Sequence, residues 1–342
     1  MNAIVFHQHG GPEVLKYEDA PKPSIRPGEV LVRVKACALN HLDLWVRRGI
    51  PGVPIPLPHI PGSDVSGEIA QIGADVTTVR VGQKVVLAPG VTCGKCAACV
   101  AGQDNHCCYF TNLGYLIDGG CAEFVRAPEV NCLPYPENLT FEEAASIPLV
   151  FQTAWHMLLA RAELQPGEDV LILGAGSGVG TAAIQIAKFF GARVIATAGS
   201  DEKLQKAKQL GADHLINHNT QKIRDEVRRI TNKRGVDVVF EHVGTATWDD
   251  SFASLAPGGR LVTCGATTGY DAKVDLRFLF SRQLSLLGSY MGTKSELHSI
   301  MGLVASGRFK PIVDRIFPLT ACAEAHAYLE SSSQFGKVVL RV

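Results

Sequence analysis

Residues 169–192, DVLILGAGSGVGTAAIQIAKFFGA, decide the fold. The apolar run DVLIL leads into a loop with glycines at 174, 176, 178 and 180, and an amphipathic segment follows. Glycines at such a turn let the backbone approach a pyrophosphate, which meets free N–H groups at the helix N-terminus. The spacing departs from G-x-G-x-x-G, so the strand before and the helix after carry the prediction of a dinucleotide-binding loop. The alternative is a glycine-rich turn of another kind of α/β protein. A phosphate-binding Walker loop is excluded, because this chain has no Gly-Lys-Ser/Thr after the glycines.

The segments around this loop predict an α/β fold with a doubly wound parallel sheet. Short apolar runs alternate with helical segments, which is typical of strands covered on both faces. The first 130 residues instead alternate apolar and polar side chains, as Glu29 to Cys37 does, and predict a β-rich domain. Residues 141–162 read as a long apolar helical stretch that contains Pro148. The later strand candidates are RVIAT (193–197), HLIN (214–217), VDVVF (236–240) and RLVTC (260–264).

The end of the next strand indicates which dinucleotide binds. An NAD site usually places Asp or Glu about 20 residues after the glycines, where it binds the ribose 2′-hydroxyl and repels a 2′-phosphate. This chain has Ala198, Gly199 and Ser200 there, with Lys203 one turn later. Small residues, a hydroxyl and a cation favour NADP. The alternative is that Ser200 only caps the helix beginning at Asp201.

Five of the ten cysteines lie close together in the sequence and predict a metal site. Their pattern is Cys93-x2-Cys96-x2-Cys99-x7-Cys107, with Cys108 as an ambiguous fifth thiol. Four thiolates at such intervals suit a closed tetrahedral site, which holds a structural zinc and leaves no position open for chemistry. Unrelated thiols and an iron–sulfur cluster are the alternatives. We predict Cys93, Cys96, Cys99 and Cys107 as ligands of one structural Zn²⁺.

Composition excludes several classes of partner. The 33 basic and 33 acidic residues balance, so the basic excess expected of a nucleic-acid or membrane-surface protein is missing. No segment reaches the roughly 20 apolar residues of a membrane span, and the N-terminus has no signal-peptide pattern. We expect a cytoplasmic protein with thiols rather than disulfides and a small-molecule substrate.

The chain resembles the medium-chain dehydrogenase/reductase superfamily of zinc alcohol dehydrogenases and quinone oxidoreductases over nearly its whole length. The motifs that carry the resemblance, besides the glycine loop and the cysteine lobe, are GGPEVL, VKACALNHLDLWVRRG, PGSDVSGEIAQIG, PLVFQTAW and GKVVLRV.

The resemblance implies two domains. A GroES-like catalytic domain comprises residues 1–150 and 289–342, with its zinc lobe at about 90–110, and a Rossmann NADP-binding domain spans 151–288. It also implies homodimers or homotetramers assembled through the cofactor domains. The implied pyrophosphate contacts are Gly178, Val179 and Gly180, and further cofactor contacts in loops after later strands are Val243, Gly244 and Gly265.

One motif departs from the zinc alcohol dehydrogenases. Their catalytic zinc takes a Cys, a His and a second Cys, and the corresponding positions here resemble Asn40, Ser63 (followed by Asp64) and Leu149. A leucine cannot bind zinc, and serine or an amide is a poor ligand beside thiolate or imidazole. The usual catalytic zinc is therefore predicted absent, as in the quinone oxidoreductase branch, which has an Asn at the first of these positions.

The loss of that metal suggests a mechanism. Without a Lewis acid, fixed hydrogen-bond donors must stabilise the oxygen that gains charge, and the resemblance places the Asn40 amide there. Thr153 is expected to position the nicotinamide, His41 is a candidate proton donor, and Asp43 orients these groups or caps a helix. We predict an NADPH-dependent reductase of a quinone, enone or reactive carbonyl.

Two other functions remain open at the level of sequence. The first is an alcohol dehydrogenase with an atypical catalytic zinc, and the second is a non-enzymatic NADPH sensor or RNA-binding protein. Two or three of the residues Cys37, His41, Asp43, His59 and Asp64 are the candidate ligands for the atypical zinc.

Overall fold

The N-terminal part of the chain forms mostly antiparallel strands, because its apolar and polar side chains alternate. The structure is a computed structural model that describes residues 1–342. The first strands are β1 (Asn2–Val5), β2 (Lys16–Asp19), β3 (Glu29–Ala38), β4 (Asp64–Ile72), β5 (Lys84–Leu87), β6 (Gly90–Val91), β7 (Thr111–Asn112), β8 (Phe124–Pro128) and β9 (Cys132–Pro134). The first helices are α1 (His41–Arg48), α2 (Ala97–Val100) and α3 (Phe141–Ala145).

The helical stretch expected over residues 141–162 is present, and it is divided into two helices at Pro148. Helix α3 ends at Ala145, α4 (Pro148–Trp155) starts at the proline, and a π-helical turn, His156–Arg161, follows it. Proline has no N–H to donate within a helix, but it is well suited to a first turn, where that N–H has no intrahelical acceptor. Pro148 therefore starts a second helix.

The middle of the chain forms a six-stranded parallel sheet in the spatial order β12-β11-β10-β13-β14-β15. The parallel sheet expected from the alternating pattern is confirmed. Its strands are β10 (Asp169–Ile172), β11 (Arg193–Ala198), β12 (His214–Asn217), β13 (Val236–Glu241), β14 (Leu255–Thr263) and β15 (Ser285–Gly288). Its helices are α5 (Gly178–Phe189), α6 (Asp201–Gln209), α7 (Ile223–Ile230), α8 (Thr245–Ala253) and α9 (Leu276–Ser281).

The C-terminal segment returns to the first sheet. Strand β17 pairs antiparallel with β3, with Val339 opposite Ala38, and the larger sheet runs β16-β17-β3-β4-β5-β9 with β8 also on β3. By their contacts the residues form two units, Met1–Leu149 with Thr293–Val342 and Val150–Gly292. The elements of this segment are α10 (Lys294–Ala305), β16 (Val313–Pro318), α11 (Cys322–Glu330) and β17 (Lys337–Arg341).

Each unit has its own apolar core. In the first, residues of β3, β4 and β17 such as Val32, Val65 and Leu340 are buried together, and in the second Leu171, Ile195 and Val239 of the parallel strands are. Burial of such side chains is the main favourable contribution to folding. None of the helices has the length and apolar character needed to cross a membrane.

Candidate functional site

The glycine loop lies between β10 and α5. Ser177 caps the helix, and its Oγ accepts a hydrogen bond from the Gly180 N–H at 2.9 Å. A Cβ on Gly180 would lie 2.4 Å from the Gly174 carbonyl oxygen, so the loop folds back too closely for any larger residue. The first amides of the helix, those of Gly178 and Val179, have no intrahelical acceptor. They form a cradle that fits a pyrophosphate.

The segment after β11 combines small residues with polar side chains. Ala198 is buried, and Ser200 caps α6 with its Oγ 3.4 Å from the Lys203 N–H. Ser200 therefore does cap the helix. Its oxygen accepts the hydrogen bond of the cap, and its O–H group is still able to donate a hydrogen bond to an anion. The next acidic residue, Asp201, accepts a hydrogen bond from the Asn217 side chain at 2.8 Å.

Two residues that the sequence did not single out lie over this segment. Asn219 donates to the Gly199 carbonyl at 2.7 Å, and a Cβ on Gly199 would lie 3.1 Å from the His218 ring. They come from the loop after β12, which is the neighbour of β11 in the sheet. Because this contact depends on parallel pairing, sequence spacing alone does not reveal it.

A buried glutamate organises the loop after β13. Glu241 accepts hydrogen bonds from the Val243 and Gly244 N–H groups at 2.6 and 3.0 Å. Its other oxygen accepts from the Thr247 and Ser251 hydroxyls at 2.9 and 2.6 Å. The carboxylate therefore fixes the backbone of two predicted cofactor contacts at the carboxyl end of their strand, where ligands of doubly wound sheets bind.

The loops after β13, β14 and β10 are close together. A Cβ on Gly265 would lie 3.2 Å from the His242 carbonyl oxygen. The His242 ring nitrogen Nε2 lies 2.9 Å from the Leu173 carbonyl and 3.3 Å from the Ser177 hydroxyl. Burial lowers the pKa of His242, so the ring is a neutral contact to the glycine loop. These contacts bring three loops that contain predicted cofactor residues to one edge of the sheet.

Thr153 lies in α4, apart in sequence from the loops above. Its side chain is buried, with 5% exposed, and its hydroxyl oxygen has no hydrogen-bond partner within the protein. A buried hydroxyl without a partner is costly, and a ligand that supplies one removes that cost. The residue therefore fits the predicted contact with a nicotinamide.

The four predicted zinc ligands converge. The sulfur atoms of Cys93, Cys96, Cys99 and Cys107 all lie within 4.8 Å of one another. The Cys96–Cys99 and Cys93–Cys107 separations are 3.5 and 3.6 Å, close to the edge of about 3.8 Å that a tetrahedron with Zn–S bonds of about 2.3 Å requires. A hydrogen bond from the Cys99 N–H lowers the pKa of Cys96 to about 6, which favours a thiolate. The donor set fits a zinc ion, whereas Cys108 is exposed and outside the group.

Asn40 belongs to a buried polar cluster in the first unit. Its side-chain N–H₂ group donates to Asp64 Oδ2 at 3.0 Å and to the Ala38 carbonyl at 3.4 Å. Its carbonyl oxygen accepts from the Lys337 ammonium at 2.5 Å, and the same ammonium lies 3.0 Å from Asp64 Oδ2. Both amide hydrogens are therefore engaged, and the oxyanion role expected of Asn40 stays a prediction.

Lys337 is the member of this cluster that sequence reasoning missed. It is the first residue of the terminal apolar strand, and only 3% of it is exposed. In the sequence, the one available signal was a lysine directly before an apolar run that ends the chain. Such a lysine, if buried with the strand, needs a charged partner, because buried lysines are rare unless they are paired.

Asp43 and His41 both lie in the first turn of α1. The buried Asp43 carboxylate accepts from the Asn40 and Gly62 N–H groups at 2.7 and 2.9 Å, so it caps the helix. Burial raises the pKa of Asp43. His41 is half-buried, with its ring 6.4 Å from that of Trp45. Of the two roles expected for Asp43, the structure contains the helix cap.

The five candidate ligands of an atypical catalytic zinc do not form one group. The His59 ring packs on Phe6 at 5.4 Å and lies 3.7 Å from Asp118, and the Cys37 sulfur lies 3.8 Å from that of Cys121. In the structure, the cysteine lobe is the one place where three or more such ligand atoms converge.

A glycine loop on a parallel sheet, joined in one chain to an antiparallel domain with a cysteine lobe, defines a two-domain nucleotide-dependent dehydrogenase. The alcohol dehydrogenase GroES-like domain family matches residues 26–137, and the zinc-binding dehydrogenase family matches residues 178–306. The chain belongs to the medium-chain dehydrogenase/reductase superfamily and is an oxidoreductase. The predicted family, enzyme class and combination of a GroES-like domain with a Rossmann domain are confirmed.

Individual relatives align with the whole chain. An alcohol dehydrogenase of Geobacillus stearothermophilus is 36% identical, with 100% of both chains covered. A quinone oxidoreductase of Rattus norvegicus is 30% identical over 99% of this chain and 97% of its own. A crystal structure of an NAD-dependent alcohol dehydrogenase is 49% identical, covers 100% of both chains and has a TM-score of 0.97.

The structure also predicts how pH affects stability, through a buried histidine near Asp43. His326 accepts a hydrogen bond from the Arg47 guanidinium at 3.3 Å, and burial lowers its pKa to about 4. The folded protein therefore resists protonation of this ring, and the unfolded chain does not. Its contribution to stability is present above a pH of about 6.5 and is lost as pH falls towards 4, by about 3 kcal/mol.

We expect His326→Gln to flatten the loss of stability between pH 6.5 and pH 4, because glutamine does not take up a proton. The measurement is the free energy of unfolding in urea at several pH values. His298→Gln, at an exposed histidine, is the matched control for the substitution itself. A slope that His326→Gln does not change would contradict the assignment.

Proposed function

We propose that this chain is an NADPH-dependent reductase of a quinone, enone or reactive carbonyl, with one structural zinc per subunit. The observation that carries the proposal is the buried Asn40–Asp64–Lys337 cluster. By the family pattern, Asn40 stands where zinc alcohol dehydrogenases have a catalytic cysteine, and an ammonium lies 2.5 Å from its oxygen. A cation at that point opposes the binding of a second one.

The chemistry of the substrate follows from this cluster. When bound, NADPH supplies the hydride. An enone or quinone would accept it at a conjugated carbon, spread the resulting negative charge onto its oxygen and take up a proton from solvent. Because the charge is spread, such a substrate needs less polarisation of its oxygen than a simple carbonyl does. Oxidation of a simple alcohol passes through an alkoxide, which needs stronger polarisation.

Each cofactor contact has a place in this proposal. The amides of Gly178 and Val179 bind the pyrophosphate, with Gly180 allowing the close approach. Val243, Gly244 and Gly265 line the carboxyl edge of the sheet, and the Thr153 hydroxyl positions the nicotinamide. The unit Val150–Gly292 is then the cofactor-binding domain, and the other unit is the catalytic domain.

The preference for NADP rests on the segment after β11. The end of the strand has Ala198 in place of a carboxylate, while Ser200 and Lys203 supply a hydroxyl and a cation. A 2′-phosphate is attracted by such groups and repelled by an acid. The structural relative with 49% identity is named as NAD-dependent, which favours the opposite preference.

The cysteine lobe is proposed to hold the structural zinc. Four sulfur ligands close the coordination sphere, so this ion stabilises residues 93–107 and has no position open for a substrate. The second candidate function is an alcohol dehydrogenase with an atypical catalytic zinc. Two relatives are named as alcohol dehydrogenases, which favours that activity.

We further propose a homodimer or homotetramer built on the edge of the parallel sheet. Strand β15 ends the sheet, so one of its sides has no strand partner. Exposed apolar side chains lie on α9, which precedes it, including Leu276, Phe278 and Phe280. An open strand edge and exposed aromatic groups favour pairing with a second copy of the chain.

A cytoplasmic location is part of the same proposal. All ten cysteines are free thiols in the structure, including those of the lobe. Thiols in such number suit a reducing compartment, where disulfides do not persist.

The test of this function measures zinc content and turnover on one preparation. We expect one zinc per chain and NADPH oxidation with members of a panel of quinones, enones and aldehydes. Cys99→Ser should lose the zinc, because a closed site needs all four thiolates, and Cys108→Ser should keep it. A second zinc that is required for alcohol oxidation would establish the alternative function.

The cofactor preference is tested by Lys203→Ala. Removing a cation that binds the 2′-phosphate should raise the KM for NADPH about tenfold and leave the KM for NADH unchanged. Lys206→Ala, one turn further along the same helix, is the matched control and should change neither. A wild-type enzyme that strongly prefers NADH would contradict the argument from Ala198 and Ser200.

The proposed assembly is tested by Phe280→Glu, which places a charge on the exposed apolar surface. By light scattering, we expect the wild type to be a dimer or tetramer. We expect the variant to associate more weakly, so that it dissociates at protein concentrations at which the wild type is still assembled. Val81→Glu, at an exposed apolar residue of the first unit, is the control. A monomeric wild type would overturn the proposal.

A further inference from the structure

The terminal strand places a lysine in the buried cluster beside Asn40. Leu39 donates a backbone hydrogen bond to Val338 at 2.8 Å, so the pairing of β3 with β17 continues up to this point. Lys337 follows in register, and its ammonium reaches both Asn40 and Asp64. The lysine, the amide and the carboxylate form a compact group, which we call the polar hub.

The polar hub is balanced in charge. Lys337 and Asp64 are both buried, and a buried charge without a partner costs several kcal/mol. The ammonium and the carboxylate offset one another, and the Asn40 amide bridges them. Stability therefore depends on both charges being present, because loss of one leaves the other buried without a partner.

The two charges also determine the orientation of the amide. An ammonium can only donate hydrogen bonds, and a carboxylate can only accept them. The Asn40 carbonyl oxygen must therefore face Lys337, while its N–H₂ group faces Asp64. With both charges replaced by neutral groups, this constraint on the amide disappears.

The hub further holds the start of helix α4. The second oxygen of Asp64, Oδ1, accepts a hydrogen bond from the Leu149 N–H at 2.9 Å. Leu149 lies in the first turn of the helix, where backbone N–H groups lack intrahelical acceptors. The same helix includes Thr153, the proposed nicotinamide contact. The carboxylate that Lys337 neutralises thus also fixes the first turn of the helix that carries this hydroxyl.

We propose that Lys337 is a positioning residue of the reductase reaction: it orients Asn40 and, through Asp64, the first turn of α4. This inference rests on the proposed function. The Lys337 ammonium is a buried cation next to Asn40. It holds the side chains of Asn40 and Asp64 in one orientation although residue 40 is not a metal ligand.

The test compares Lys337→Met, Asp64→Asn and the double variant that combines them. We expect Lys337→Met to lower Tm and to lower kcat about tenfold or more, because the Asp64 charge is left unpaired and Asn40 loses its donor. The Kd for NADPH should change less than about threefold, since the proposed pyrophosphate and phosphate contacts remain. The double variant should recover Tm and keep the low kcat.

The double variant separates positioning from simple charge compensation. If it regains wild-type kcat together with Tm, Lys337 is only a counter-charge and the proposal is overturned. Wild-type kcat in Lys337→Met would overturn it as well. Lys84→Met, at a half-exposed lysine paired with Glu137, is the control and should leave both Tm and kcat unchanged.

Hydrogen exchange distinguishes failure of this inference from failure of the proposed function. In Lys337→Met, amide exchange in residues 149–155 should become faster, because the Leu149 acceptor is disturbed. If the wild type reduces no member of the substrate panel, the proposed function fails. Faster exchange would then still support the anchoring of α4, and unchanged exchange would overturn it.

Discussion

The ion pair between Lys337 and Asp64 joins parts of the chain that are 273 residues apart in sequence. Neither charge is stable in a dry interior alone, so the ends of β3, β4 and β17 and the start of α4 must come together for either to be buried. A single electrostatic requirement thus connects the chain's terminal strand with the residues that the family pattern places at the reaction centre.

In the second unit, loops are held by hydrogen bonds rather than by a buried ion pair. In the predicted cofactor loop after β13, the buried Glu241 carboxylate accepts hydrogen bonds from two backbone N–H groups and two hydroxyls. His242 connects the same loop to the glycine loop. Where loops are held in place before a ligand binds, the entropic cost of binding is lower.

Local patterns were sufficient for several predictions. The glycine loop, the alternation of strands and helices, and the cysteine spacing each depend on residues close together in sequence, and the structure contains the expected elements. The helical stretch over residues 141–162 is also present, and its division falls at Pro148, which has no N–H to donate within a helix. Glu241, His218 and Lys337 were missed because their partners come from other strands or loops.

By itself, the sequence determined the parallel sheet and singled out the four cysteines that converge, because both depend on short-range periodicity or spacing. Its motifs carried the resemblance to the superfamily. Only the tertiary structure decided that the Asn40 amide is already engaged, and that a lysine from the last strand is its partner. The physical reason is that strand pairing brings residues together irrespective of their distance along the chain. The electrostatic character of the site therefore depends on contacts that no local pattern contains.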